Sequence, residues 1–586
     1  MTEWLVWLDA SPWRYGSLCV LVYLAALALG LLPAVAPHAP RRLKSDMVFM
    51  AAVALLMLVF RWQVFYFPEH LNPDESGYIS QSLTLAHDPV YWRSITAGTS
   101  GPFNTYPRLI PALLGFPDNY ATSRVMAMIL AVVCLSVFYA TCRRFAHASL
   151  ARVATLAAAT FWALTTNGDF THYSGEHMPV LLLLVASHLA LRLPDSERWA
   201  SGTAWLAGFV LGAIPFAKLQ GSVLALTITF FCYVFLLRRG ESWPRRLGRC
   251  GWLTLGGLTA PALVAGSAAV TGQVEHFWQS YIAMNLGYAG SGVSLASIIE
   301  NLPNLRPFMA RFVTLFHSMM ALGTLGALCL AWLGLGRSIP IANRRLLIFS
   351  SVLLPIAIYT ALAPGRPFPH YFLFVLFPVV GWAFAACSAA IAQHVQVPEE
   401  SAASAEPAPA SSKPLALALA VWLAVGLLVQ ISEHFFSPQL IPVRGLVSDL
   451  LKTPRSKVSE AILAHASPGE ALGLWGWMHQ FHAETGLWKA TSDQALEYLW
   501  NVKTEGVSVS SWMELVPDYF EDLYLADLKR SNPPVFVDAV APGSFIFNNR
   551  ASFGYETFPA LAEHINTHYS LAGEIDGIRI FLRKDR

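Results

Sequence analysis

Leu71-Asn72-Pro73-Asp74-Glu75-Ser76-Gly77-Tyr78 sets a proline and two adjacent carboxylates directly after hydrocarbon-like sequence. The apolar run before it, 46–66, is long enough to cross a bilayer, which takes about 20 residues at 1.5 Å rise each. The acidic pair therefore lies just beyond a membrane-spanning helix. Proline suits the first position of a helix, which puts Asp74 in a first turn whose unpaired N–H groups favour an ionised carboxylate. In a partly dry cleft such a carboxylate can accept a proton from an attacking hydroxyl or ligate a divalent cation. Neighbouring residues on a helix point in different directions. One carboxylate is thus expected to carry chemistry and the other to support it, against the plainer reading of an ordinary capping pair.

Around this loop the chain is dominated by apolar helix. Of its 586 residues 55% are hydrophobic and 13% charged, with mean hydropathy +0.47, which excludes an ordinary soluble protein. Spans are expected near 16–35, 46–66, 123–141, 151–167, 178–192, 203–219, 221–237, 251–271, 312–334, 345–363, 370–391 and 414–431, about twelve in all. The formal net charge of +2, without a basic face, glycine-rich phosphate loop or zinc-finger spacing, argues against nucleic acid. Arg41, Arg42 and Lys44, then Arg143 and Arg144, the arginines from Arg238 to Arg249, and Arg337, Arg344 and Arg345 all fall on one side if the spans alternate. Positive loops mark the cytoplasmic side. Loops 67–122, 168–177, 272–311 and 364–369 and everything after 431 then face outward. The first 15 residues, with Trp4, Trp7 and Trp13, read as an interfacial segment rather than a removable signal. All seven cysteines precede residue 388 without metal-ligand spacing, so no disulfide framework is expected.

The organisation follows: an extra span and cytoplasmic loop over 1–45, a transmembrane body over 46–392 and an Ala/Pro/Ser/Glu-rich cytoplasmic linker over 393–413. A last span at 414–431 leads to an extracytoplasmic α/β domain over 432–586. In that domain Leu472–Trp477, Pro534–Asp538 and Ile578–Leu582 read as strands, with helices near 445–466, 513–530 and 558–568. Residues 76–88 and 106–116 read as amphipathic helices in the interface plane, with Tyr91 and Trp92 at headgroup depth.

Other chemistry-bearing residues fall on the same outward side. Asn167–His177 supplies Asp169, His172, Glu176 and His177; carboxylate and imidazole from separate loops can orient an acceptor or complete a metal shell, with Asp74 and His177 the candidate ligands. Lys218 lies between two close spans, where a lysine must snorkel or meet an anion. Arg366, His370 and Tyr371 form another cationic and hydrogen-bonding edge, and Arg108 is a further basic candidate. Trp475–Gln480 and Thr485–Leu487 could offer an aromatic platform for sugar rings or simply belong to a core.

Asn72-Pro73-Asp74-Glu75, the acidic loop ending at Glu176, Lys218 between spans, and Pro369-His370-Tyr371 opening a late span together resemble the GT-C polytopic glycosyltransferases that use polyprenyl-phosphate sugars. These include protein O-mannosyltransferases, lipid A aminoarabinose transferases and bacterial lipopolysaccharide-modifying transferases. The resemblance covers about 46–392, making the 16–35 span an extra element. It implies Asp74 as base or metal ligand, Glu176 or Asp169 as second-loop acid, and Lys218 and Arg366 on a departing lipid phosphate. It further implies inverting transfer from a polyprenyl-phosphate donor to a glycan, lipopolysaccharide or protein acceptor at the outer face of a bacterial inner membrane. A divalent metal is allowed but no cofactor is required. The competing classes are a lipid or glycan transporter, which would place ionisable groups at mid-membrane and show related halves, and a non-enzymatic envelope-assembly protein.

Overall fold

In the computed structural model the described residues are 2–35, 42–286 (less 68, 97, 166 and 195–199), scattered positions between 321 and 332, 339–364, 368–395, 453, 455–492 and 517–586 (less 546). Among them seven helices are long and apolar enough to cross a membrane: Trp13–Leu31, Lys44–Tyr66, Tyr120–Cys142, Leu219–Leu237, Trp243–Val270, Ile341–Leu362 and Pro369–Ala392. Three shorter apolar helices, Ala148–Leu164, His177–Arg192 and Ala200–Phe216, join them. These ten match ten of the twelve expected spans in position, although only seven reach a spanning length. The span expected at 312–334 lies largely, and that at 414–431 wholly, outside the described residues, as do Arg366 and most of the linker.

Helices with apolar residues on every side meet where small residues let backbones approach. A side chain on Gly208 would overlap the Leu253 carbonyl, and one on Gly256 the Trp205 carbonyl, so Ala200–Ala213 and Trp243–Val270 pack almost backbone to backbone. At the opposite end of the bundle from the acidic loop, Asp46 accepts from Arg152 at 2.6 Å and from the Tyr139 hydroxyl at 2.5 Å, tying three helices together. All seven cysteines are free.

Proline does start the helix after the second span. Pro73–His87 begins with Asn72 as cap, its Oδ1 accepting from the Asp74 N–H at 2.8 Å. This helix does not lie exposed in an interface plane as its amphipathic pattern suggests. Ile79 is buried against Tyr120 and against Ala483 of the C-terminal domain, and Leu85, Tyr91 and Trp92 are buried with Val264 and Ala268 of the Trp243–Val270 helix and Tyr281. The second stretch fits better: Ile110, Leu113, Leu114 and Phe116 stand exposed a few residues before the Tyr120–Cys142 helix begins.

The C-terminal domain is a five-stranded mixed sheet in the order β2-β1-β3-β5-β4, formed by β1 (Ala471–Trp475), β2 (Trp488–Lys489), β3 (Val535–Asp538), β4 (Tyr569–Ile575) and β5 (Ile578–Arg583). β1 runs parallel to both β2 and β3; β5 is antiparallel to β3 and β4. The three expected strands are present, but the first stops at Trp475 because Gly476 adopts φ +113°, a left-handed turn suited to glycine. Helices Lys457–Leu463, Gln480–Thr485, Pro517–Ser531 and Pro559–His568 flank the sheet. The domain is fastened to the first loop. Thr96 donates to the Ser492 carbonyl through N–H at 3.1 Å and Oγ1 at 2.9 Å, and Lys489 N–H donates to Thr84 Oγ1 at 3.0 Å. His87 stacks on Trp488 with ring centroids 4.2 Å apart.

Replacing Gly256 with valine forces the two helix backbones apart. Such overpacking costs about 1–3 kcal/mol, read as a lowered melting temperature in detergent, whereas Gly266→Ala, in open space, should leave it unchanged.

Candidate functional site

The two neighbouring carboxylates separate as helical geometry requires. Glu75 turns inward and is fully buried, with Arg124 Nε 2.7 Å from Oε1 and Nη2 2.9 Å from Oε2. Its Oε2 also accepts from the Leu71 N–H at 2.9 Å. The remaining Arg124 donors hold the carbonyls of Val64 (2.8 Å), Phe67 (2.7 Å) and Glu69 (2.5 Å). Burial pushes the Glu75 carboxyl up, but the charge and hydrogen bonds of Arg124 reverse this and hold it below the usual range. Glu75 is therefore the supporting member of the pair.

Asp74 has a different setting. It keeps partial solvent exposure while lying deep among protein groups, which is the geometry of a cleft wall. Burial pushes its carboxyl above the usual aspartate range; His370 and His172 oppose this, Asp169 adds to it, and Lys218 opposes it. No ion pair or side-chain hydrogen bond to the Asp74 carboxylate occurs among the described residues.

Asp169, Glu176, Lys218, His370 and Tyr371 come together beside it. Asn72 Nδ2 donates to Asp169 Oδ1 at 2.5 Å, so the residue that caps the Asp74 helix also binds the second loop. His370 sits at ion-pair distance from both second-loop acids, Nδ1 3.5 Å from Asp169 Oδ2 and Nε2 3.9 Å from Glu176 Oε1. Lys218 Nζ donates to Glu176 Oε1 and lies 5.0 Å from the centre of the Tyr371 ring. Glu176 Oε2 is buried with no hydrogen-bond partner. Burial raises both second-loop carboxyls, but each has a cation beside it. Lys218, then His370, brings Glu176 down to about 2, and His370 brings Asp169 below the usual range. Of the three carboxylates in the cleft, two are paired and held ionised, and one, Asp74, is raised.

His172 donates Nδ1–H to the Tyr173 carbonyl at 2.8 Å and leaves a buried Nε2 without a partner. His177 accepts from the Ser174 N–H through Nδ1 at 3.1 Å, with Nε2 likewise unpartnered. Among the described residues no three His, Cys, Asp or Glu side chains converge in a metal-holding group. Arg108 stands apart from the acids, buried against Asp118 (2.9 Å) and Ser123 (2.8 Å) and over the Tyr173 ring. Arg366 falls outside the described residues.

Three participants carried no sequence signal. Arg124 is an unremarked basic residue early in an apolar span, 49 positions from its partner. Arg61 is buried in the second span and ties the Ala148–Leu164 helix to the second loop through the carbonyls of Trp162 (2.7 Å) and Phe170 (2.7 Å), with no carboxylate partner among the described residues. Tyr78, one turn beyond Asp74, bonds Ser100 Oγ at 2.8 Å. A Cβ on Gly175 would stand 2.5 Å from the Tyr78 hydroxyl and 3.2 Å from Lys218 Nζ, so only glycine admits both.

No family model matches the chain, and no curated protein does. Among solved structures it is similar to ArnT from Cupriavidus metallidurans. The form bound to undecaprenyl phosphate shares 15% identity over 93% of this chain and 98% of that one, with TM-score 0.47. The apo form shares 15% identity over 92% and 98%, with TM-score 0.48. The Archaeoglobus fulgidus oligosaccharyltransferase tethered to an acceptor peptide shares 12% identity over 89% of this chain and 72% of that chain, with TM-score 0.43.

Removing Arg124 leaves Glu75 buried and uncompensated. Arg124→Met should cost about 3–5 kcal/mol in unfolding measurements, and adding Glu75→Gln should recover most of it. Equal instability of the single and double variants would show that the pair is not the origin of the loss.

Proposed function

We propose that this protein is a GT-C-type membrane glycosyltransferase. It moves a sugar from a polyprenyl-phosphate donor to a cell-envelope acceptor at the outer face of a bacterial inner membrane. The observation that carries the reading is the separation of three cleft carboxylates into two paired anions and one raised, unpaired Asp74. Divergent environments for neighbouring acids are how a site assigns acid–base roles. A polyprenyl-phosphate donor fits the location at one end of an apolar bundle, with the lipid tail in hydrocarbon and the phosphate level with Lys218 and His370.

In this reading Asp74 accepts the proton of the acceptor hydroxyl as that oxygen attacks the anomeric carbon. Its raised pKa makes it a better base near neutral pH than an ordinary aspartate. The bond to the phosphate oxygen breaks on the opposite face, giving inversion. The leaving phosphate needs charge compensation more than protonation. Lys218 has three ammonium donors, of which one is engaged by Glu176, leaving others for phosphate oxygens; His370 adds a second donor. Asp169 and Glu176 fix those cations. The sequence motif offers Arg366 as a further cation for the leaving phosphate. No step needs a metal ion.

Asp74→Asn should lower transfer of radiolabelled sugar from a polyprenyl-phosphate donor by about 10²–10⁴-fold, the usual worth of a positioned base. Unchanged transfer, or product of retained anomeric configuration, refutes the displacement. The acid limb of the rate against pH should lie above the ordinary aspartate value of 3.8. Because folding raises this carboxyl, the native state binds the extra proton. Stability from Asp74 is therefore lost as pH rises from the unfolded value through the folded one, and the ionised residue destabilises the protein at neutral pH. Asp74→Asn should then melt higher than wild type while being inactive. Glu176 has the opposite sign: its contribution is complete above the ordinary 4.5 and disappears as pH falls toward about 2.

A further inference from the structure

After Leu237 the chain reads Arg238-Arg239-Gly240-Glu241-Ser242-Trp243-Pro244-Arg245-Arg246-Leu247-Gly248-Arg249, five arginines against one carboxylate. This turn joins two apolar helices at the end of the bundle away from the acidic cleft. The Leu219–Leu237 helix starts beside Lys218, and its 19 residues carry the chain about 28 Å from that lysine at 1.5 Å rise each. The proposed chemistry therefore makes no use of these cations.

Three of the five are locked into the turn. Arg239 donates to the Leu193 carbonyl and meets Glu241 Oε1 at 3.1 Å, where Arg249 Nη1 also binds at 2.6 Å. Arg246 holds the carbonyls of Leu237 at 2.9 Å and Glu241 at 2.6 Å, and its guanidinium lies 5.3 Å from the centre of the Trp243 ring. A carbonyl accepts hydrogen bonds without carrying a charge, and one carboxylate cannot neutralise the two arginines that share it. Arg238 and Arg245 are exposed, with no ion pair or side-chain hydrogen bond among the described residues. Arg192, next to the carbonyl that Arg239 holds, is exposed as well. By sequence the 195–199 loop adds Asp195, Glu197 and Arg198, which leaves the balance at this end positive. Arg245 and Arg246 also stand in the first turn of the Trp243–Val270 helix, which holds no acidic residue. Cations there face the positive end of the helix dipole. The arrangement concentrates positive potential instead of dispersing it.

The surroundings select the kind of anion. Beside the arginines Trp243 and Leu247 are 62% and 59% exposed, and further along the two helices Leu226, Phe230, Leu255 and Leu258 are exposed too. Apolar surface of this extent next to clustered guanidinium groups fits a molecule with a phosphate at one end and hydrocarbon at the other. Arginine's planar fork matches phosphate oxygens, and basic pockets at the ends of membrane-spanning helices take lipid head groups. A soluble anion would leave the apolar flank uncovered.

We propose that Arg238, Arg245 and Arg246 bind the phosphate of an anionic phospholipid, whose acyl chains lie on the exposed apolar sides of the Leu219–Leu237 and Trp243–Val270 helices. The site stands apart from sugar transfer, so binding alone tests it. Delipidated full-length protein in detergent is titrated with dioleoylphosphatidylglycerol or dioleoylphosphatidylcholine, and bound lipid is counted by native mass spectrometry. Wild type should hold phosphatidylglycerol about tenfold more tightly than phosphatidylcholine. Arg238→Gln/Arg245→Gln, which breaks no bond seen among the described residues, should lose about tenfold in phosphatidylglycerol affinity and keep the wild-type melting temperature in lipid-free detergent. Lys457→Gln/Lys529→Gln removes the same charge from exposed positions of the C-terminal domain and should bind as wild type does. Equal affinity of wild type for the two lipids, unchanged binding by Arg238→Gln/Arg245→Gln, or an equal loss in both double variants overturns the site. Release of the bound phosphatidylglycerol by millimolar inorganic phosphate also overturns it, since that marks a site for a soluble anion.

Discussion

The ion pair between Glu75 and Arg124 is the constraint on which the rest of the site depends. A buried pair of this kind gains little net stability, because desolvating both charges offsets much of their attraction. Its consequence is geometric. Arg124 belongs to the Tyr120–Cys142 helix, and its five donors take hold of both Glu75 oxygens and three carbonyls of the incoming chain. The start of the Pro73–His87 helix is thereby fixed to the end of a long apolar helix. Asp74 is the residue just before Glu75, so its depth and direction are set by a bond it does not itself make. The Asn72 side chain adds the second coordinate, bonded at once to the helix N-terminus and to Asp169.

With those positions fixed, the electrostatics follow from which carboxylate has a cation of its own. Lys218 is bonded to Glu176, and His370 lies within ion-pair range of Asp169 and Glu176. Asp74 is left with cations at longer range and a like-charged neighbour in Asp169. A protein seeking only stability would give it a partner or replace it with a neutral residue. Holding it unpaired is a cost of the kind that accompanies functional sites.

Some of this was legible in the sequence. Pro73 before Asp74-Glu75 specifies both the helix start and the divergence of the two carboxylates, since 100° separates neighbours on any helix. The convergence of Glu176, Lys218 and His370 could be expected from their shared side of an alternating bundle. Their pairing could not: it depends on how loops 42 positions apart and more fold over one end. Arg124 and Arg61 were illegible for a related reason. An arginine near the end of an apolar run reads as an interfacial anchor, and only packing shows that these two turn inward. In the C-terminal domain the apolar runs announced β1, β3 and β5, whereas the two-residue β2 has no period to detect. The interfacial reading of 76–88 failed because amphipathicity reports that a face is covered, without saying whether lipid or another domain covers it.

The contrast with 106–116 shows how the cleft gains a definite depth. In that stretch the usual arrangement of a surface segment is reversed. Arg108 is inside, held by Asp118 and Ser123, and Ile110, Leu113, Leu114 and Phe116 are outside. In water this would expose a contiguous apolar edge with nothing to offset it. Four residues after Phe116 the Tyr120–Cys142 helix begins, so the edge stands where that helix leaves hydrocarbon. Arg108 also lies over the Tyr173 ring, which is set edge-on to Tyr78 on the Asp74 helix. One continuous packing path therefore joins this exposed apolar edge to the cleft wall. The same loop that carries this exposed apolar edge also packs, through Arg108 and Tyr173, against the helix that holds the carboxylate.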